Sequence, residues 1–131
     1  MKCFLSILLL VGFSVVLESK LQIVSVAGKL TCKTELVPDA LIELWEHDTL
    51  EPNDLLSSVT SDSDGRFSIA GGEDELFSID PVVRITHNCS VNEGCTRITD
   101  YLVPKSKINN GVYDMGYVAL DIIVADDTLE C

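Results

Sequence analysis

From Gln22 onward, apolar and polar side chains alternate in short runs separated by clusters of Gly, Pro, Asn, Asp and Ser. In the run 40–46, Ala40, Ile42 and Leu44 alternate with Leu41, Glu43 and Trp45. A strand turns successive side chains to opposite faces, so one set meets a core and Trp45 lies on the outer face. The same reading predicts seven strands, over residues 22–32, 40–46, 55–60, 66–69, 81–87, 96–103 and 112–124. Ser61-Asp62-Ser63-Asp64-Gly65 is a turn in which aspartates bond their own backbone and glycine takes positive φ. Asn109-Asn110-Gly111 turns the chain into the last strand. No long stretch carries the helical period, and there is no internal repeat or linker. The expectation is an all-β sandwich.

The first residues follow a different pattern. Lys2 precedes an apolar run from Phe4 to Val16 broken only by Ser6, Gly12 and Ser14, the positive and apolar regions of a secretory signal peptide. The cut is expected after Ser19, with Leu17 a poor residue at the minus-three place, giving a signal at 1–19 and one domain at 20–131. The run is too short to cross about 30 Å of hydrocarbon, which takes roughly 20 apolar residues, so the chain is not expected to span a membrane.

Charge narrows the partners. The net charge is −12 and the pI about 4.3, and loss of the signal removes one lysine and one glutamate. Nucleic-acid binding rests on Lys and Arg neutralising phosphates, so this balance argues against it. Acidic residues are spread over loops and strand faces, as on the solvated surface of a secreted protein.

Removing 1–19 also removes Cys3 and leaves Cys32, Cys89, Cys95 and Cys131, an even number for an oxidising compartment. Four cysteines permit three pairings. Cys89 and Cys95 sit at the ends of the polar loop Ser90-Val91-Asn92-Glu93-Gly94, which pairs them and leaves Cys32 with Cys131. A zinc site would need C-x-x-C spacing with nearby histidines, which is absent.

The spaced set Gly28-x-Leu30-x-Cys32, Leu44-Trp45-Glu46-x-Asp48, Asp54-Leu55-Leu56, Ser61-Asp62-x-Asp64-Gly65-x-Phe67-x-Ile69-x-Gly71-Gly72, and Pro81 through His87-x-Cys89 to Cys95-x-Arg97, closed by Leu129-Glu130-Cys131, resembles the nematode transthyretin-like family. These are secreted β-sandwich proteins, and the resemblance covers nearly the whole chain after its first two dozen residues. It implies a transthyretin-like (prealbumin-like) β-sandwich, here with the seven strands read above and two disulfides. It also implies that the first strand runs parallel to the last, which puts Cys32 and the tail at the same end. One departure is that Lys33 to Val37 lacks the glycine common before the proline, here Pro38, implying a longer or stiffer first connection.

Candidate chemistry is sparse. Asp62 and Asp64 invite a calcium reading, since closely spaced carboxylates on a turn hold hard cations, but an EF-hand spacing is lacking and the resemblance places them in a plain hairpin turn. Glu73-Asp74-Glu75 is a similar case, read as a hydrated loop. The transthyretin fold also hosts 5-hydroxyisourate hydrolase, whose site closes with a C-terminal Tyr-Arg-Gly-Ser, whereas this chain ends Asp126-Asp127-Thr128-Leu129-Glu130-Cys131. Only His47 and His87 can shuttle protons, and neither has a nucleophile patterned around it. Asn88-Cys89-Ser90 fits the N-glycosylation rule, and a sugar there would cover that end of the sandwich.

The resulting expectation is a secreted, non-enzymatic extracellular protein without a cofactor, binding or bridging a cell-surface protein or exposed lipid. The resemblance implies this role, since one family member bridges exposed phosphatidylserine to a phagocyte receptor. For this acidic chain, lipid binding would need calcium held by acidic loops or a basic spot such as Lys105-Ser106-Lys107. The alternative is a carrier of a small apolar ligand or hormone, and a hydroxyisourate hydrolase stands third.

Overall fold

The computed structural model describes residues 18–47, 53–124 and 126–131, so the apolar run expected to be a signal lies outside the described residues. Among the described residues nine strands form: β1 Lys20–Cys32, β2 Glu35–Leu36, β3 Leu41–His47, β4 Asp54–Thr60, β5 Arg66–Glu75, β6 Asp80–His87, β7 Thr96–Leu102, β8 Val112–Ala119 and β9 Asp127–Glu130. One 3-10 turn, Lys105–Lys107, lies between β7 and β8. One sheet runs β2-β1-β5, with β8 also paired to β1, and the other runs β4-β3-β6-β7-β9. Among the described residues no helix is long and apolar enough to cross a membrane.

Alternation builds the core as expected. Ile42 and Leu44 of β3 and Val83 and Ile85 of β6 are fully buried and face Val24, Val26 and Leu30 of β1 and Ile69 of β5. Burying side chains of this size contributes about 1.5–3 kcal/mol each. Trp45 takes the opposite face of β3, as its parity requires, and Arg84 lies 5.3 Å from its ring centroid. β1 pairs with β8 in parallel, again as expected. The first connection is a tight turn in which Lys33 (φ 50°) and Thr34 (φ 74°) adopt the left-handed backbone that glycine usually supplies.

Two expectations are corrected. Among the described residues the strand count is nine, not seven, because Glu35–Leu36 and Asp127–Glu130 each add a strand, while the strand expected over 112–124 ends at Ala119. β8 stops at Ala119, Leu120 is the last buried residue there, and the chain then crosses to the other sheet, where β9 pairs antiparallel with β7. β9 reads Asp-Thr-Leu-Glu, an exposed edge segment with little apolar alternation to betray it.

That crossing also overturns the disulfide pairing. The bonds are Cys32–Cys89 and Cys95–Cys131, not Cys89–Cys95 and Cys32–Cys131. Thr96 pairs with Glu130, so the residues just beyond that pair, Cys95 and Cys131, meet at the sheet edge. Cys89 continues the inward parity of Val83, Ile85 and His87, is 5 % exposed, and reaches Cys32 at the end of β1. The 89–95 loop therefore brings its cysteines near each other in sequence while their side chains serve different layers. Cys32–Cys89 ties one sheet to the other.

Candidate functional site

The inward face of the sandwich changes character at one end. On β3 the inward series Ile42, Leu44 continues to Glu46, which is 4 % exposed. On β5 the inward series Phe67, Ile69, Gly71 continues to Glu73 and Glu75. Asp54 begins β4 and pairs with Glu46 across a register shift that lies between Leu44 and Trp45. One carboxylate oxygen from each of Glu46, Asp54, Glu73 and Glu75 lies within 4.8 Å of the others.

Gly71 makes this approach possible. A Cβ there would sit 2.9 Å from Leu56 Cβ and 3.1 Å from the Leu56 carbonyl oxygen, so any side chain would push β4 off β5. Gln22, opposite Glu73 on β1, spends its amide elsewhere: Nε2 donates to the Phe77 carbonyl at 2.8 Å, and Oε1 accepts from the Ile79 N–H at 3.1 Å. Glu46 Oε2 and Glu73 Oε2 are thus buried with no hydrogen-bond donor among the described residues.

Like charges this close repel, by about 4 kcal/mol for a pair at 4 Å in a partly wet protein environment. In the protein alone a proton relieves them. Partial burial first, then hydrogen bonding to Glu46 and Asp54, pushes the Glu73 carboxyl up to about 8 from its ordinary 4.5. A group whose folded pKa is raised binds more protons folded than unfolded, so its contribution is complete below 4.5 and lost as pH rises towards 8. Among the described residues, Glu46 from β3, Asp54 from β4 and Glu75 from β5 are the charged groups gathered with it. In chelator, the melting temperature of Glu73→Gln should therefore fall less between mildly acid and mildly alkaline pH than that of the parent chain. Parallel slopes in the two proteins would contradict this.

Of the candidate residues singled out by sequence, Glu73 and Glu75 belong to this cluster and the others lie elsewhere. Asp62 Oδ1 accepts from the N–H groups of Asp64 and Arg66, each at 2.9 Å, so its carboxylate is engaged in closing the β4–β5 turn. Asp64 is exposed beside it. Glu73 and Glu75 are on a strand, not the expected loop, and Asp74 between them points out. His87 is 5 % exposed at one end of β6, where its Nδ1 accepts from the Cys89 N–H at 3.1 Å, and burial pushes its imidazole below the usual range. His47 pairs with Asp80 at the opposite end of β6, so the two histidines do not form a common site. Asn88 is exposed beside His87. Glu46 and Asp54 enter the sequence reading only through the family pattern and not as candidate ligands, although Glu46 holds an inward position in the alternation that placed Ile42 and Leu44.

A second feature occupies the outer face near the acidic end. A groove of about 640 Å³ has Pro81, Val82, Leu102 and Val103 along its floor, with His47 and the Lys105–Asp80 ion pair (2.8 Å) at its rim. Val82 and Leu102 are register partners, and Leu102 is 74 % exposed. Beside it Arg84 donates from Nε and Nη2 to the two Asp100 oxygens at 2.8 and 3.1 Å, which raises its already high pKa and fixes it over Trp45. An apolar floor with a charged rim suits recognition.

Comparison with known proteins agrees with this architecture. A solved 9R-lipoxygenase from Cyanothece PCC8801 superposes with a TM-score of 0.50 at 21 % identity over 76 % of this chain and 17 % of that one, a likeness of fold alone. Transthyretin-like protein 16 of Caenorhabditis elegans is 40 % identical over 100 % of this chain and 99 % of its own. Transthyretin-like protein 5 of the same worm is 35 % identical over 87 % of each, and transthyretin-like protein 46 is 31 % identical over 98 % of this chain and 75 % of its own. Residues 27–104 match the family model described as TTR-52, the transthyretin-like family. With its two-sheet sandwich, the parallel β1–β8 pair and relatives matched along its whole length, the chain belongs to the transthyretin-like family.

Proposed function

We propose that this protein is a secreted, non-enzymatic binding or bridging protein, released after removal of residues 1–19, whose partner is a cell-surface protein or exposed lipid. The observation that carries this reading is the outer-face groove, where Leu102 stands 74 % exposed beside Val82 under a charged rim. A large exposed apolar side chain such as Leu102, set beside buried apolar neighbours, is the kind of residue on which interfaces place their energetic anchors. Two disulfides are compatible with an extracellular life. Asn88 follows β6 at the end away from the groove, so a sugar there would leave the groove open.

Affinity capture with the mature protein on intact cells and on phosphatidylserine vesicles, with calcium and with chelator, tests the reading by mass spectrometry. Recovery of one surface protein or of the lipid supports it, and recovery of neither overturns it. The carrier of a small apolar ligand is the second reading. By analogy with transthyretin, whose ligand channel lies between subunits, a strictly monomeric species in sedimentation would overturn it.

A further inference from the structure

We propose that Glu46, Asp54, Glu73 and Glu75 form a calcium site where β3, β4 and β5 meet at one end of the sandwich. The donors are four carboxylates with no imidazole or thiolate among them, the ligand set of a hard cation. Their oxygens lie within 4.8 Å of one another. Calcium holds oxygens at about 2.3–2.6 Å, so its shell is about 5 Å across, whereas the magnesium shell is only about 4.2 Å across. Separations of up to 4.8 Å fall within the span of a calcium shell.

Proximity of acids alone would mean little, since exposed carboxylates gather on many surfaces. Here Glu46 is 4 % exposed, its Oε2 has no donor among the described residues, and its carboxylate is turned into the cluster. A carboxylate that deep needs a partner, and the titratable side chains gathered around it among the described residues are further carboxylates. Gly71 supports the arrangement by letting β4 close on β5. Asp54 is exposed, which gives an ion an entry path and leaves room for water to complete the shell. The net charge of −12 draws cations to the surface in general, and the burial of Glu46 selects this place.

The site stands independently of any partner, and its test needs none. Thermal unfolding and calorimetric titration of the purified secreted chain at neutral pH compare chelator with calcium at about 10 mM, above the 10⁻⁴–10⁻³ M dissociation constants of extracellular calcium modules. Calcium is expected to bind one per chain and to raise the melting temperature by roughly 8 °C at a hundredfold excess over Kd. Glu46→Gln and Asp54→Asn each remove a repelled charge and should fold at least as well in chelator, while losing the calcium shift. The absence of any calcium shift, a shift retained in both variants, or an equal shift with magnesium would each overturn the assignment.

Discussion

Replacing Cys32 and Cys89 together by alanine is expected to cost about 5 kcal/mol and to leave the chain largely unfolded at physiological temperature. The bridge closes a loop of sequence separation 57, for which the chain-entropy treatment gives about 4 kcal/mol. Cys95–Cys131 closes a separation of 36 and comes out nearly the same, so loop length does not rank the two. Burial does. Cys89 is 5 % exposed within the core cluster and Cys32 packs against it, so their removal also leaves a void between the sheets. Cys131 is exposed at the chain end. Domains of this size hold only about 5–15 kcal/mol in all, so the inter-sheet pair takes a large share. Guanidinium unfolding of the two double variants measures this, and a Cys95/Cys131 variant less stable than the Cys32/Cys89 one would contradict it.

Gly65→Ala should cost about 3 kcal/mol or more. Gly65 has φ +74°, where an L side chain is disfavoured by about 1–2 kcal/mol. Its added Cβ would also lie 2.6 Å from the Leu30 carbonyl oxygen and 3.1 Å from the Val37 amide nitrogen. Both are backbone atoms held in place. Leu30 N–H donates to the Gly65 carbonyl at 2.7 Å, and Val37 N–H donates to the Leu30 carbonyl at 3.0 Å, so the β4–β5 turn is locked against β1. Gly94 is the control: it has φ +82° but nothing within 4 Å of an added Cβ, so Gly94→Ala should show only the backbone part, about 1 kcal/mol. Equal losses in the two variants would mean that the contact with Leu30 and Val37 contributes nothing.

The sequence makes legible whatever alternation encodes. Ala40, Ile42 and Leu44 announce the buried side of β3, and Trp45 the outer one, because parity is a local property. The fate of residues 120–131 is not local. Asp127-Thr128-Leu129-Glu130 carries no apolar pattern, and whether it extends β8 or joins β7 depends on which edge is free, so the cysteine that follows changes partners with it. The acidic site lies between these cases. Glu46 and Glu73 occupy inward positions of two predicted or extended strands, a signal present in the chain, but only the pairing of β3 with β4 and the packing of β4 on β5 bring in Asp54. Reading Glu73-Asp74-Glu75 as a loop hid the parity that separates Asp74 from its neighbours. The groove is wholly tertiary, since Val82 and Leu102 are distant in sequence and meet only through the β6–β7 register.

The most direct test of a binding function carried by the outer face is the equilibrium binding of labelled mature protein to intact cells, compared with Leu102→Asp. Leu102 is 74 % exposed, so the substitution should change stability by no more than about 0.5 kcal/mol. A charge on the groove floor should weaken cell binding roughly tenfold or more. Saturable binding of the parent chain with that loss is the predicted result; undiminished binding by Leu102→Asp, with the fold intact, would contradict the groove as the site of recognition.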